Sequence, residues 1–172
     1  MANILTFNEI YDSLKKNDSD SLLHFGACFD ESMFVKNLKE SDKLEYQAVD
    51  ADYNKWLEYE SLYSGFGGGL YNVSMQDFIS DMELNYDTIL ITGIFDNIVY
   101  GEEQYNFIVK TIEECYTKSN KSVVFTLKQN PKDDFEYNMV YLFAVLSVSY
   151  EKLIIKKFSD NGNNQYIFSI LK

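Results

Sequence analysis

Apolar and polar residues alternate along this chain with two periods, and the change from one to the other marks out the elements. Thr6-Phe7-Asn8-Glu9 has capping-box spacing, and Phe7, Ile10, Tyr11 and Leu14 then share one helical face. After a polar break over residues 15–20, the run Leu22-Leu23-His24-Phe25 ends at Gly26 and predicts a buried strand. Asp30 can cap a helix with Phe34, Val35 and Leu38 inside. Tyr46-Gln47-Ala48-Val49-Asp50 predicts a strand that ends in an acid, followed from about Asp52 by a helix with Tyr53, Trp56 and Leu57 inward.

Residues 64–69 are glycine-rich and predict a plain connection, since no Lys-Ser/Thr follows as in a phosphate loop. Residues 70–74 predict a third strand, closed by Gln76-Asp77. Tyr86-Asp87-Thr88-Ile89-Leu90-Ile91-Thr92-Gly93 predicts a strand too apolar to face solvent. Beyond it, Tyr105, Ile108, Val109, Ile112, Cys115 and Tyr116 keep a helical stripe. A strand over 121–127 and a helix marked by Phe135, Met139, Leu142, Phe143 and Leu146 follow. Leu153-Ile154-Ile155 and Tyr166-Ile167-Phe168 flank Asp160-Asn161-Gly162-Asn163, and Asn-Gly between apolar runs signals a hairpin. Strands alternating with helices until a terminal hairpin predict a three-layer α/β sandwich with a mainly parallel sheet. We expect one domain over residues 1–172, with 1–20 as a helical lead-in.

Composition narrows the partners. The net charge of −12 disfavours direct binding to nucleic acid or an anionic membrane, because phosphates are neutralised by clustered Lys and Arg. Two cysteines, Cys28 and Cys115, form no disulfide framework, and with a single histidine they make no zinc constellation. No apolar run approaches the roughly 18 residues of a membrane helix, and the N-terminus has no signal-peptide pattern. A cytoplasmic, non-membrane protein is the expectation.

The chemistry starts at the strand-end acid. A carboxylate closing the second strand of an open α/β sheet is placed to accept hydrogen bonds from both hydroxyls of a ribose, and Asp52 is as good a helix cap, so Asp50 is the expected sugar-binding acid. Asp30 and Glu31, at the start of the helix after the first strand, would repel a pyrophosphate, and G-x-G-x-x-G is absent, so a dinucleotide is disfavoured. His24, inside a central strand, is expected to be a hydrogen-bonded core residue, and Cys115 a packing residue.

The order of elements resembles the class I S-adenosylmethionine-dependent methyltransferases, and four short motifs are similar to theirs. Leu23-His24-Phe25-Gly26-Ala27-Cys28 stands where that family has its glycine-rich loop, and Val49-Asp50 where it has its ribose acid. Gln76-Asp77-Phe78 is similar to its adenine-binding acid and apolar neighbour, and Tyr86-Asp87-Thr88-Ile89-Leu90 resembles its fourth-strand signature. Two residues before the first glycine the family usually has an acid, here His24, and its later glycines are replaced by Cys28 and Asp30. The resemblance implies a seven-stranded Rossmann-like sheet with S-adenosylmethionine as cofactor, held by Gly26, Ala27, Cys28, Asp50, Asp77, Phe78 and Gly93. Asp96 and Tyr100, beyond the fourth strand, would orient the acceptor or take its proton. The acceptor would be a small molecule or a protein side chain. The alternative is a catalytically inactive relative that works as a binding or interaction protein.

Overall fold

The computed structural model describes residues 4–16, 18–27, 44–63, 69–97, 102–129, 139–160 and 163–172. The helix expected after Asp30, together with Cys28, Gly65, Tyr100, Phe135 and Asn161-Gly162, lies outside them. Helices α1 (Ile4–Lys16), α2 (Tyr53–Tyr63), α3 (Met75–Asp81), α4 (Glu102–Lys118) and α5 (Met139–Ser149) alternate with seven strands. These are β1 (Ser21–Phe25), β2 (Glu45–Val49), β3 (Leu70–Tyr71), β4 (Tyr86–Ile91), β5 (Ser119–Gln129), β6 (Lys152–Asp160) and β7 (Asn163–Leu171).

The strands form one sheet in the order β3-β2-β1-β4-β5-β7-β6. Strands β3, β2, β1, β4 and β5 run parallel, and β7 enters antiparallel between β5 and β6. The hairpin register pairs Asp160 with Asn163, as the Asn-Gly signal anticipates. The expected mainly parallel, seven-stranded Rossmann-like sheet is therefore the one observed.

Both faces of the sheet are covered, which is why its central strands are nearly continuous apolar runs. On β1, Leu23 and Phe25 point into a core shared with Ile79, Ile108, Ile112 and Leu142 of the helices on one face. Leu22 points the other way, where Tyr46, Ala48, Leu90 and Val124 pack with Ile10 and Leu14 of α1.

Some boundaries and faces differ from the pattern. The third strand is only two residues long, because Ser74 turns the chain into α3 as its N-cap. In α2, Tyr53 and Leu57 are exposed rather than inward; the helix lies beside the short edge strand and meets it through Trp56, whose indole N–H donates to the Leu70 carbonyl at 3.2 Å. In α5, Leu142 and Leu146 are buried but Phe143 is exposed.

Candidate functional site

The strand order reverses direction between β1 and β4, and in open α/β sheets the crevice beyond the carboxyl ends of the strands at such a switch point takes ligands. Here three turns meet. Gly26 follows β1, Asp50 follows β2, and Thr92-Gly93 follows β4. They enclose a cleft of about 260 Å³, completed by Val49, Ala51, Lys55, Val73, Ser74, Met75, Gln76 and Ile94.

Gly26 is required twice over. Its φ of +74° lies in the left-handed region, and a Cβ there would sit 2.1 Å from the Thr92 carbonyl oxygen. That close approach is pinned by main-chain bonds: Gly26 N–H donates to Val49 at 2.9 Å, and Thr92 N–H donates to Phe25 at 3.0 Å. Gly93, with φ of +68°, brings a second bare turn to the cleft. Ala27 is buried in the core on the α1 side of the sheet and does not line the cleft.

Asp50 and Asp52 divide their work as their spacing suggests. Asp52 caps α2, its Oδ1 accepting the amide hydrogens of Asn54 and Lys55 at 3.1 and 3.3 Å. Asp50 forms part of the cleft wall; its Oδ1 accepts the Asp52 amide at 2.9 Å, and its main-chain carbonyl accepts from Asn72 Nδ2 at 2.9 Å. Lys55 also reaches this wall, because the cap at Asp52 places the first turn of α2 over the end of β2. The pattern did not single it out; the signal available was its place three residues after the cap.

At α3, Met75 and Gln76 line the cleft, whereas Asp77 and Phe78 line an adjoining groove of about 370 Å³. The reason is the cap. Ser74 Oγ accepts the Asp77 amide at 3.2 Å and donates to Asp77 Oδ2 at 2.6 Å, which draws the carboxylate to the helix start. Phe78 packs edge-on against Phe25 and Tyr71, at ring separations of 5.9 and 5.7 Å.

Asp96 lies in a single 3₁₀ turn, Phe95–Asn97, beyond the cleft residue Ile94. Its Oδ1 accepts the Lys128 amide at 2.7 Å, which ties the turn to the end of β5. Burial raises its pKa, and the Lys128 amide opposes that shift without cancelling it. Cys115 is buried and its thiol is pushed up to about 12 by burial, so it is a packing residue. His24 is fully buried, with both ring nitrogens hydrogen-bonded.

No protein-family model matches the chain, and no curated protein matches its sequence. Solved structures do resemble its fold. Magnesium protoporphyrin IX methyltransferase from Synechocystis PCC 6803, with bound SAM, superposes with a TM-score of 0.70 at 10% identity, covering 98% of this chain and 78% of that one. The bifunctional kinase-methyltransferase WbdD gives 0.70 at 12% identity over 97% of this chain, which spans only 39% of that protein. The 16S rRNA methylase ArmA gives 0.61 at 16% identity, covering 97% and 83%. The chain thus has the fold of class I methyltransferases. Among the described residues no helix is long and apolar enough to cross a membrane.

Proposed function

We propose that this chain binds S-adenosylmethionine in the cleft between Gly26, Asp50 and Gly93 and transfers its methyl group to a small-molecule or protein acceptor. The observation that carries the reading is the coincidence of an acid at the end of β2, two left-handed glycine turns and the switch point in one cleft. Two bare turns let a ligand approach main chain closely, and the Asp50 carboxylate is an acceptor for ribose hydroxyls. Val73, Met75 and Gln76 supply an apolar wall and an amide for a base edge, with Asp77 one residue further round the helix start. The magnesium protoporphyrin IX methyltransferase of the same fold holds SAM, which supports the choice of cofactor.

The bound sulfonium would supply an activated methyl carbon for in-line displacement. The protein's share is then positioning and removal of water. Asp96 is our proposed proton acceptor for the nucleophile, a role suited to a half-buried carboxylate whose pKa burial has raised. Replacing it by Asn should lower turnover and leave cofactor affinity intact; unchanged turnover removes Asp96 from the reaction. Tyr100 is proposed for the same role from its place in the sequence. The solved structures of this fold include a porphyrin methyltransferase and an rRNA methylase, so fold does not select the acceptor. The charge of −12 favours a small molecule or protein over nucleic acid.

Calorimetry with S-adenosylhomocysteine tests the reading. Asp50→Ala should weaken binding by about 10-fold or more, the order expected for hydrogen bonds to a charged group. Asp52→Ala should instead cost about 1 kcal/mol of stability as a lost cap and weaken binding far less than Asp50→Ala does. Absence of binding at millimolar ligand would sink the proposal, and binding without turnover of any acceptor would leave the inactive-relative alternative standing.

A further inference from the structure

A buried polar chain runs beneath the cleft and crosses the three strands whose ends form it. Tyr46 on β2 meets His24 on β1, its hydroxyl 2.7 Å from Nδ1. His24 Nε2 lies 2.7 Å from Thr92 Oγ1, just past the end of β4. Thr92 Oγ1 in turn donates to the Gly26 carbonyl at 3.1 Å, back at the end of β1. The register sets these three side by side, since His24 pairs with Ala48 and with Leu90, while Tyr46 stands two residues before Ala48 and Thr92 two residues after Leu90.

The Thr92–Gly26 bond gives this chain a direction. A threonine hydroxyl has one hydrogen, and it is committed to the Gly26 carbonyl. Thr92 Oγ1 must therefore accept from His24, which places the imidazole proton on Nε2. Nδ1 then carries a lone pair and accepts from the Tyr46 hydroxyl. The arrangement requires a neutral ring, and full burial holds it neutral, with a pKa lowered to about 3. The terminus of the chain is the carbonyl of Gly26, a residue of the cleft wall. Thr92 is also bonded directly into Gly93, so the same hydroxyl sits between the two left-handed turns.

We propose that His24 is a positioning residue for the cleft, acting through Thr92 to hold the Gly26 and Gly93 turns in register. The inference rests on the nucleoside-cofactor reading above for its consequence, but the coupling of the two turns stands on this geometry alone. The part of a ligand lying over the glycine turns should depend on His24, while the ribose at Asp50 should not.

The test compares S-adenosylhomocysteine with adenosine as ligands for four variants. His24→Leu and Thr92→Val should weaken S-adenosylhomocysteine about 10-fold, the order of one or two buried hydrogen bonds, with adenosine affinity changed less than about twofold. His24→Gln, whose amide N–H can still donate to Thr92, should restore most of the loss, and Tyr46→Phe should have the smallest effect. Equal losses for both ligands, or no loss in Thr92→Val, overturn the proposal, the latter even if His24→Leu does not fold. Backbone NMR decides it independently of any ligand. The Gly26 and Gly93 amide resonances should both move in Thr92→Val, and stationary resonances overturn the inference. If wild type binds neither ligand, the cofactor reading falls and the NMR result alone judges the coupling.

Discussion

Gly26 and Gly69 share a backbone angle and differ in what surrounds them, so replacing each by Ala separates strain from steric conflict. Their φ values are +74° and +75°. Alanine in the left-handed region costs about 1–2 kcal/mol, and the reduced freedom of the unfolded chain returns about 0.4–1 kcal/mol. These terms apply alike to both sites. At Gly69 a Cβ would meet none of the described residues within 4 Å, so Gly69→Ala should lose only about 1 kcal/mol. At Gly26 the new methyl would lie 2.1 Å from the Thr92 carbonyl oxygen, more than an ångström inside the 3.4 Å of ordinary contact. Relief requires Thr92 to move, and that residue is held by its N–H bond to Phe25 and its hydroxyl bond to Gly26. Overpacking and lost buried hydrogen bonds add about 2–4 kcal/mol. Urea unfolding followed by fluorescence of Trp56 and the tyrosines measures the difference, with the slope checked for constancy. An osmolyte such as TMAO can raise the baseline if Gly26→Ala sits near its midpoint. Stabilities of the two variants within about 0.5 kcal/mol of each other would refute the close approach at Gly26 on which the cleft is built.

Three further outcomes are expected. The unfolded chain protonates His24 below about pH 6.5, whereas the folded chain resists until about 3, so proton uptake favours unfolding and stability should fall by about 1.4 kcal/mol per unit across that window; in His24→Gln, urea midpoints between pH 6 and 4 should flatten, and a wild-type slope would contradict the buried neutral ring. Burial pushes the Asp87 pKa up, but the Asp20 amide, the Lys121 ammonium at 2.9 Å and Asn120 outweigh it and leave it lowered, so its contribution is present above the unfolded carboxylate pKa and lost as pH falls through the folded one; Asp87→Asn should therefore differ from wild type at neutral pH and converge on it below about pH 4, and parallel curves would rule the contribution out. If Gln76 reads the base edge, Gln76→Ala should erase a preference for S-adenosylhomocysteine over its inosine analogue, while Asp77→Asn should keep that preference; the opposite result would assign the base to Asp77.

The strands and most helices were legible because their signals are local. A parallel strand buried on both faces must be apolar throughout, and the run from Thr88 to Ile91 could have no other use. The Asn-Gly hairpin and the 3.6-residue stripe on α4 carry equally short-range information. The division of Asp50 from Asp52 was also readable, since either acid can cap but only the earlier one stands at the strand end. What failed was facing in elements whose neighbours are weakly specified. Helix α2 packs beside a two-residue edge strand, so no period in its own sequence says that Trp56 turns in while Leu57 stays out.

The site shows the same limit more sharply. His24 could be expected to be a bonded core residue, because a lone histidine in an apolar strand has to be satisfied. Its partners could not be expected, since Tyr46 and Thr92 lie 22 and 68 residues away and are brought to it only by the register of two parallel ladders. Likewise the cap at Ser74, whose hydroxyl donates to the Asp77 carboxylate at 2.6 Å, is a pairing that the motif Gln76-Asp77-Phe78 does not reveal. A motif scores Asp77 for its neighbours in sequence, whereas the cleft is formed by the residues that α3 turns toward Gly26 and Asp50. Met75 and Gln76 line the cleft while Asp77 lines the groove beside it, so discrimination between adenine and hypoxanthine is the measurement that decides between Gln76 and Asp77 as the reader of a base.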